Sequence, residues 1–227
     1  MQYQIVRQGR FLSRPNRFIA RVELDGAEET VHVKNTGRCR ELLVPGATVY
    51  LAEGENPNRK TRYDLIAVEK GSLLVNLDSQ ATNKVFGEWA AAGQFCPGLT
   101  LLRPETVWGN SRFDFYWEDS AGHKGFVEVK GVTLEDHGHA RFPDAPTLRG
   151  VKHLEELVRC HEEGYGAAVC FVLQMGGMTD FAPNDLTHPA FGDALRRAAA
   201  RGVEVLAMEC AVTPDSLAIA APVPVRL

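Results

Sequence analysis

Two short runs constrain this chain more than any other feature: Phe113-Asp-Phe-Tyr-Trp117 and residues 125–132, which end in Glu128-Val-Lys-Gly-Val132. Both are rich in aromatic or β-branched residues, and the polar segment 119–125 between them reads as the turn of a hairpin. Side chains two apart in a strand share a face, so Glu128 and Lys130 fall with Phe126, and Val127 and Val129 point the other way. Antiparallel pairing through the turn then brings Asp114 across from Glu128. Two carboxylates and an amine beside a core are costly unless they are paired or hold something. Hard oxygen ligands with one cation are what magnesium-assisted phosphodiester hydrolysis requires. The carboxylates hold the ion, and Lys130 steadies the attacking water or the developing charge. The plainer alternative is a buried ion pair between Lys130 and either acid.

The first part of the chain reads as β structure. Residues 17–24 alternate, Asp25-Gly26 turns, 30–33 resume, and further strands are predicted over 47–52, 62–69 and 73–77. Five short strands with tight turns predict an OB-like barrel over residues 1–82, a fold that presents one face to single strands or oligosaccharides. Near Asp78 the pattern changes. Helices over 83–92, 147–163 and 189–201 alternate with strands over 112–117, 125–132, 167–174 and 203–208, which predicts an α/β domain over residues 83–227.

The net charge of −4 argues mildly against a nucleic-acid partner, but it is unevenly spread. Residues 1–82 carry 12 Lys and Arg against 10 Asp and Glu, a net of +2; the remainder carries 13 against 19, a net of −6. Three basic groups in the first part suit a phosphate-binding face: Arg7, Arg10, Arg14, Arg17 and Arg21; Lys34, Arg38 and Arg40; Arg59, Lys60 and Arg62. Asn35-Thr-Gly37 before Arg38 is a candidate DNA contact, because glycine lets backbone approach a phosphate; a plain Asn-stabilised turn is the rival. In the helix over 147–163, Val151, Leu154, Leu157 and Val158 form the expected buried stripe. Arg149, Lys152, His153 and Glu156 fall on another face, which would turn basic groups toward the site.

Five scattered cysteines without a CxxC pair indicate neither a disulfide framework nor a structural zinc site, and suit a reducing cytosol. The longest apolar run, 167–173, is far too short to span a bilayer, and the first residues lack an apolar signal core. Glu135-Asp-His-Gly-His139 offers metal-binding side chains but no second half for a zinc site, and reads instead as a loop over the active centre. Neither a phosphate-binding glycine loop nor a GxSxG elbow is present.

The chain also resembles the sugar fermentation stimulation protein A family along nearly its whole length. The match is carried by His32-Val-Lys-Asn-Thr-Gly37, Leu42-Leu-Val-Pro-Gly46, Asn56-Pro-Asn-Arg-Lys60, Ser111-Arg-Phe-Asp-Phe115, Glu128-Val-Lys-Gly-Val-Thr-Leu134, Phe142-Pro-Asp-Ala145, Arg149-Gly-Val-Lys-His-Leu-Glu155 and Pro183-Asn-Asp185. The resemblance implies an OB-like domain followed by a PD-(D/E)XK nuclease-like α/β domain with a mixed central sheet, and DNA binding without sequence preference. It implies Asp114 and Glu128 as metal-binding acids, the Val129 carbonyl as a further ligand and Lys130 as the catalytic lysine. Magnesium or manganese would be the cofactor; the basic groups, the 35–37 turn and the helix face read above make Arg17, Lys34, Asn35, Arg38, Arg40, Arg149, Lys152 and His153 the expected DNA contacts. The family name records a genetic link to sugar use, chiefly maltose, and describes no chemistry. Where the family usually reads Thr-Glu-Arg-Gly, this chain has Thr147-Leu-Arg-Gly150, so Leu148 replaces an acid; a non-catalytic DNA-binding regulator is therefore the alternative. Glu88 and Glu105 are candidates for a third carboxylate. Oligomeric state is left open.

Overall fold

The computed structural model describes residues 1–227 apart from Thr36, Glu55 and Pro57, so parts of the 35–37 and 56–58 turns lie outside the described residues. Six strands open the chain: β1 (Val6–Asn16), β2 (Ile19–Leu24), β3 (Ala27–Val33), β4 (Thr48–Glu53), β5 (Tyr63–Lys70) and β6 (Leu73–Asn76). Their order is β3-β2-β1-β4-β5-β6, and a parallel pairing of β3 with β5 closes β1 to β5 into a five-stranded barrel. Closure removes the unpaired edges that an open sheet of this size would present. Phe11, Val22, Val31, Val49, Leu51 and Leu65 fill the interior.

The expected number of barrel strands holds, but the membership differs. β1 belongs to the ring, and β6 lies outside it as a hairpin partner of β5. β1 gives little periodic signal, because Phe11 alone among its eleven residues is fully buried and arginines occupy positions 7, 10 and 14.

The second part comprises α1 (Ala81–Ala91), β7 (Leu99–Trp108), β8 (Ser111–Asp119), β9 (Lys124–Val132), β10 (Leu134–Asp136), β11 (His139–Phe142), α2 (Leu148–Glu162), β12 (Gly166–Leu173), β13 (Asp180–Pro183), α3 (Pro189–Ala200), β14 (Glu204–Thr213) and β15 (Ser216–Pro222). The central sheet runs β15-β14-β12-β9-β8-β7; β12 is parallel to both neighbours and the outer pairs are antiparallel, so the sheet is mixed. Alternation along β12 assigns its two faces. Ala168, Cys170 and Val172 pack with Val85, Phe86 and Ala90 of α1, and Val169 and Phe171 with Leu154 and Leu157 of α2 and Leu195 of α3.

β7 was not expected as a strand. It contains Pro104, has Glu105 at φ +50°, and occupies the sheet edge, where such residues are tolerated. The barrel is tied to the sheet by polar contacts: Gln174 Nε2 donates to Asn76 Oδ1 and to the Asp78 carbonyl, each at 3.0 Å, and Lys70 pairs with Glu135. No helix among the described residues is long and apolar enough to cross a membrane.

Where β9 meets β12, Gly125 lies opposite Gly166, and a Cβ on Gly125 would stand 2.2 Å from the Gly166 carbonyl oxygen. Gly125→Ala is expected to cost about 2 kcal/mol through overpacking against backbone that has no room to yield. A thermal melt should show this as a Tm lowered by roughly 4–8 °C for a chain of this size.

Candidate active site and nucleic-acid interface

The β8–β9 ladder runs from Glu118 opposite Lys124 to Phe115 opposite Val127, and stops there. One step further would set Asp114 against Glu128, as the hairpin register requires. At this point β8 changes face: Phe115 packs on Phe86 of α1, with ring centroids 5.1 Å apart, whereas Phe113 packs on Phe126 in the opposite layer, at 5.3 Å. The Asp114 side chain fills the gap where the ladder ends. Its Oδ2 accepts the Val129 N–H and its Oδ1 accepts Asn83 Nδ2 from α1, both at 2.8 Å. Burial first, and the neighbouring Glu128 charge second, push the Asp114 carboxyl above the usual aspartate range.

Glu128 is 3% exposed. Lys130 Nζ and His153 Nδ1 both bond its Oε1, while Oε2 is buried without a hydrogen-bond partner. Burial alone pushes the Glu128 carboxyl up, but the His153 hydrogen bond and the Lys130 ammonium outweigh it and hold the group below the usual glutamate range. A buried carboxylate oxygen with no donor is costly, and beside it stands an acid whose ionisation the first one opposes. A hard divalent cation answers both conditions, so the donor set fits such an ion. The Val129 carbonyl leaves the strand on the same edge as its N–H, toward Asp114. Among the described residues, no three His, Cys, Asp or Glu side chains are placed to hold one ion together, so any ion here would rest on two carboxylates and backbone or water oxygens.

His153 lies on α2, which begins at a Thr147 N-cap whose hydroxyl accepts the Gly150 N–H at 3.0 Å. Arg149 Nε donates to His153 Nε2 at 3.3 Å, which leaves the proton on Nδ1 to donate to Glu128. Exposed Arg149 is thereby connected through His153 to the buried acid. His153 itself is 5% exposed, so this geometry makes it a support of Glu128 rather than a surface contact. The periodicity concealed this: the buried residues of α2 are Gly150, His153, Leu154, Glu156, Leu157 and Cys160, so small Gly150 and Cys160 and polar His153 and Glu156 break up the hydrophobic stripe. Asn83, which fixes Asp114, carries no local signal beyond its place near a helix start.

Neither candidate third acid bonds to the pair. Glu88 holds the Met1 ammonium at 2.6 Å, and Glu105 pairs with Arg112 at 3.5 Å. Leu148 is the first residue of α2 and is 80% exposed. The Glu135–His139 segment is committed elsewhere, Glu135 to Lys70 and His139 to Asp180 at 3.0 Å.

Most basic residues of the barrel are neutralised in place. Arg7 pairs with Asp25, Arg10 with Glu23, Arg21 with Glu28, Arg59 with Asp64 and Arg62 with Glu53. Lys34 lies between Asp64 and Asp78, at 3.2 and 3.5 Å, and Asn35 is buried with its Oδ1 on the Gly37 N–H at 2.7 Å. Both serve the barrel internally. Arg17, Arg38 and Arg40 are different: they are exposed, form no ion pair among the described residues, and line one cleft of about 320 Å³. Lys152 is exposed on α2, with Nζ 3.2 Å from the Asn110 carbonyl and 3.8 Å from Glu156.

A closed five-stranded barrel followed by a mixed sheet, with two acids and a lysine where β8 and β9 part, defines a protein with an OB barrel and a second, mixed-sheet α/β part. The family models agree. The SfsA N-terminal OB domain matches residues 12–77 and the sugar fermentation stimulation protein RE domain matches residues 80–216, so the chain belongs to the sugar fermentation stimulation protein family. It is 58% identical over 217 residues to the sugar fermentation stimulation protein homolog of Desulfitobacterium hafniense strain Y51, covering 96% of this chain and 94% of that one. The homolog of Clostridium beijerinckii is 54% identical over 219 residues, covering 96% of each. The solved structure of Pyrococcus furiosus SfsA in complex with Ca2+ superposes with a TM-score of 0.91 at 27% identity, over 100% of this chain and 98% of that one.

Proposed function

We propose that this protein binds DNA and hydrolyses its phosphodiester backbone with a divalent cation, magnesium or manganese, held by Asp114, Glu128 and the Val129 carbonyl. The observation that carries the reading is the unpartnered buried Oε2 of Glu128 beside Asp114 and Lys130. The calcium in the Pyrococcus furiosus relative supports it, since calcium and magnesium share a preference for carboxylate oxygen. A cation bound there supplies charge against the developing phosphate anion and makes attacking water more acidic. Lys130 adds a second positive group at the same place. Asn83 and His153 fix the two acids, and Arg17, Arg38, Arg40, Arg149 and Lys152 meet phosphates. The five free cysteines suit a cytoplasmic location, which belongs to this proposal.

A second reading, a DNA-binding regulator with a degenerate centre, is favoured by Leu148 at the head of α2 and by the lack of a third acid at the site among the described residues. On either reading the sugar link in the family's name is indirect, because a lysine beside two acids is unlike the paired carboxylates of a glycoside hydrolase. Supercoiled plasmid nicking decides between them. The catalytic reading expects nicking with magnesium or manganese, its loss with a chelator, and its loss in Glu128→Ala. Nicking that survives in purified Glu128→Ala would sink the site assignment, and no nicking with either ion would leave the regulator.

A further inference from the structure

Arg14 does not face solvent as a phosphate contact; it organises the surface that the unpaired arginines occupy. Its Nη1 donates to the carbonyls of Gly37 and Arg38 at 2.9 and 2.8 Å, and its Nη2 to those of Arg17 and Asn35 at 2.8 and 2.7 Å. One guanidinium thus fixes the β1–β2 turn against the loop after β3. The turn is further set by Asn16, whose Oδ1 accepts the N–H groups of Phe18 and Ile19 at 2.9 and 3.1 Å. It presents Phe18, 47% exposed and outside both hydrophobic clusters, with the Arg17 guanidinium 5.1 Å from the ring centroid. A large aromatic ring held in a set turn, about half bare, with Arg17 against it and Arg38 and Arg40 lining the same cleft as Arg17, none of the three in an ion pair among the described residues, has the chemistry of a base-stacking platform.

We infer that this face of the barrel takes an unpaired DNA strand, with one base stacked on Phe18 and the flanking phosphates on Arg17, Arg38 and Arg40. The inference rests on the DNA-binding reading above and adds the form of the strand. Stacking on the face of a base requires that base to be free of its duplex neighbours, whereas duplex recognition by phosphate contacts alone has no use for an exposed ring. The path onward is also built. Gly37 lines this cleft and a second one of about 170 Å³, whose opposite wall is Gly131 to Leu134, directly after Lys130. A Cβ on Gly37 would stand 2.5 Å from Asp144 Oδ2, so glycine lets the barrel loop close against the second domain here, where Asp144 also accepts the Arg38 N–H at 2.9 Å. A strand leaving Phe18 past Gly37 is directed toward the end of β9 that carries Glu128 and Lys130.

The test is fluorescence anisotropy of the full chain in chelator, which prevents cleavage, using a labelled mixed-sequence single strand and a duplex of equal length. The single strand is expected to bind about ten-fold tighter, with Phe18→Ala removing that margin and Phe18→Trp keeping it. Arg38→Ala with Arg40→Ala should weaken binding and lower the salt slope by about 1–2. Phe18 belongs to neither core, so Phe18→Ala is expected to melt like the parent. Equal or tighter binding of the duplex, or a single-strand margin unchanged by Phe18→Ala, would overturn the inference and leave DNA binding intact. Binding of neither form would overturn the DNA-binding reading itself, and this inference with it.

Discussion

Lys130→Ala is expected to lower metal-dependent nicking by about 10³-fold while changing DNA affinity by no more than about two-fold, the loss that removal of one preorganised charge at a reacting centre produces. The geometry separates the two effects. Lys130 is largely buried beside Glu128, away from the exposed arginines of the barrel, so its removal takes little from the phosphate-binding surface. His153 remains bonded to Glu128 Oε1, so the acid keeps a partner and the local fold survives. The plainer reading of the same residues, an ion pair that only satisfies itself, expects the opposite pattern: a lower Tm and no effect on any nicking. Single-turnover nicking rates beside anisotropy and a thermal melt distinguish the two. A rate unchanged in Lys130→Ala, with chelator still abolishing it, would remove Lys130 from the chemistry.

Which parts of this were legible in the sequence follows from where the physical information lies. The hairpin of β8 and β9 was legible because its determinants are local: alternation in two runs and a polar turn between them, which together set Asp114 near Glu128. Strands without alternation were not. β1 is arginine-rich with one fully buried residue, β7 is an edge strand interrupted by Pro104, and the short β10, β11 and β13 form a small sheet of their own. The candidate DNA contacts divide in the same way. Among the described residues Arg17, Arg38 and Arg40 form no ion pair, but Lys34 is neutralised by Asp64 and Asp78, and His153 is turned inward onto Glu128, through partners distant in the chain that no window of sequence contains. Asn83 was missed for that reason too, since a polar residue near a helix start gives no hint that it faces a carboxylate on β8.

In metal-free protein the two acids should have opposite effects on stability, and that contrast tests whether they form a site or a structural pair. Asp114 is held above the ordinary aspartate range, so the native state binds its proton more tightly than the unfolded chain does. Its ionisation therefore opposes folding. The penalty is absent below the ordinary value, grows as pH rises toward the elevated one, and is complete above it. Asp114→Asn removes it: the new amide keeps an oxygen for the Val129 N–H, and Asn83 turns its own oxygen toward the new NH2. At pH 8 a gain of about 1 kcal/mol, or roughly 2–4 °C in Tm, is expected, vanishing as pH falls to the ordinary aspartate range. Glu128 is held below the ordinary glutamate range, so its stabilisation is full above that range and is lost as pH falls through the depressed value. Glu128→Gln leaves Lys130 without its counter-charge and should cost about 3 kcal/mol at neutral pH, a deficit that shrinks in acid. Melts of both variants across pH in chelator check the signs. A cation held between the acids would relieve the Asp114 penalty, so saturating magnesium or manganese should raise the Tm of the parent more than that of Asp114→Asn. Equal destabilisation by both substitutions, with no metal-dependent shift in the parent, would instead make Asp114 and Glu128 parts of a structural network.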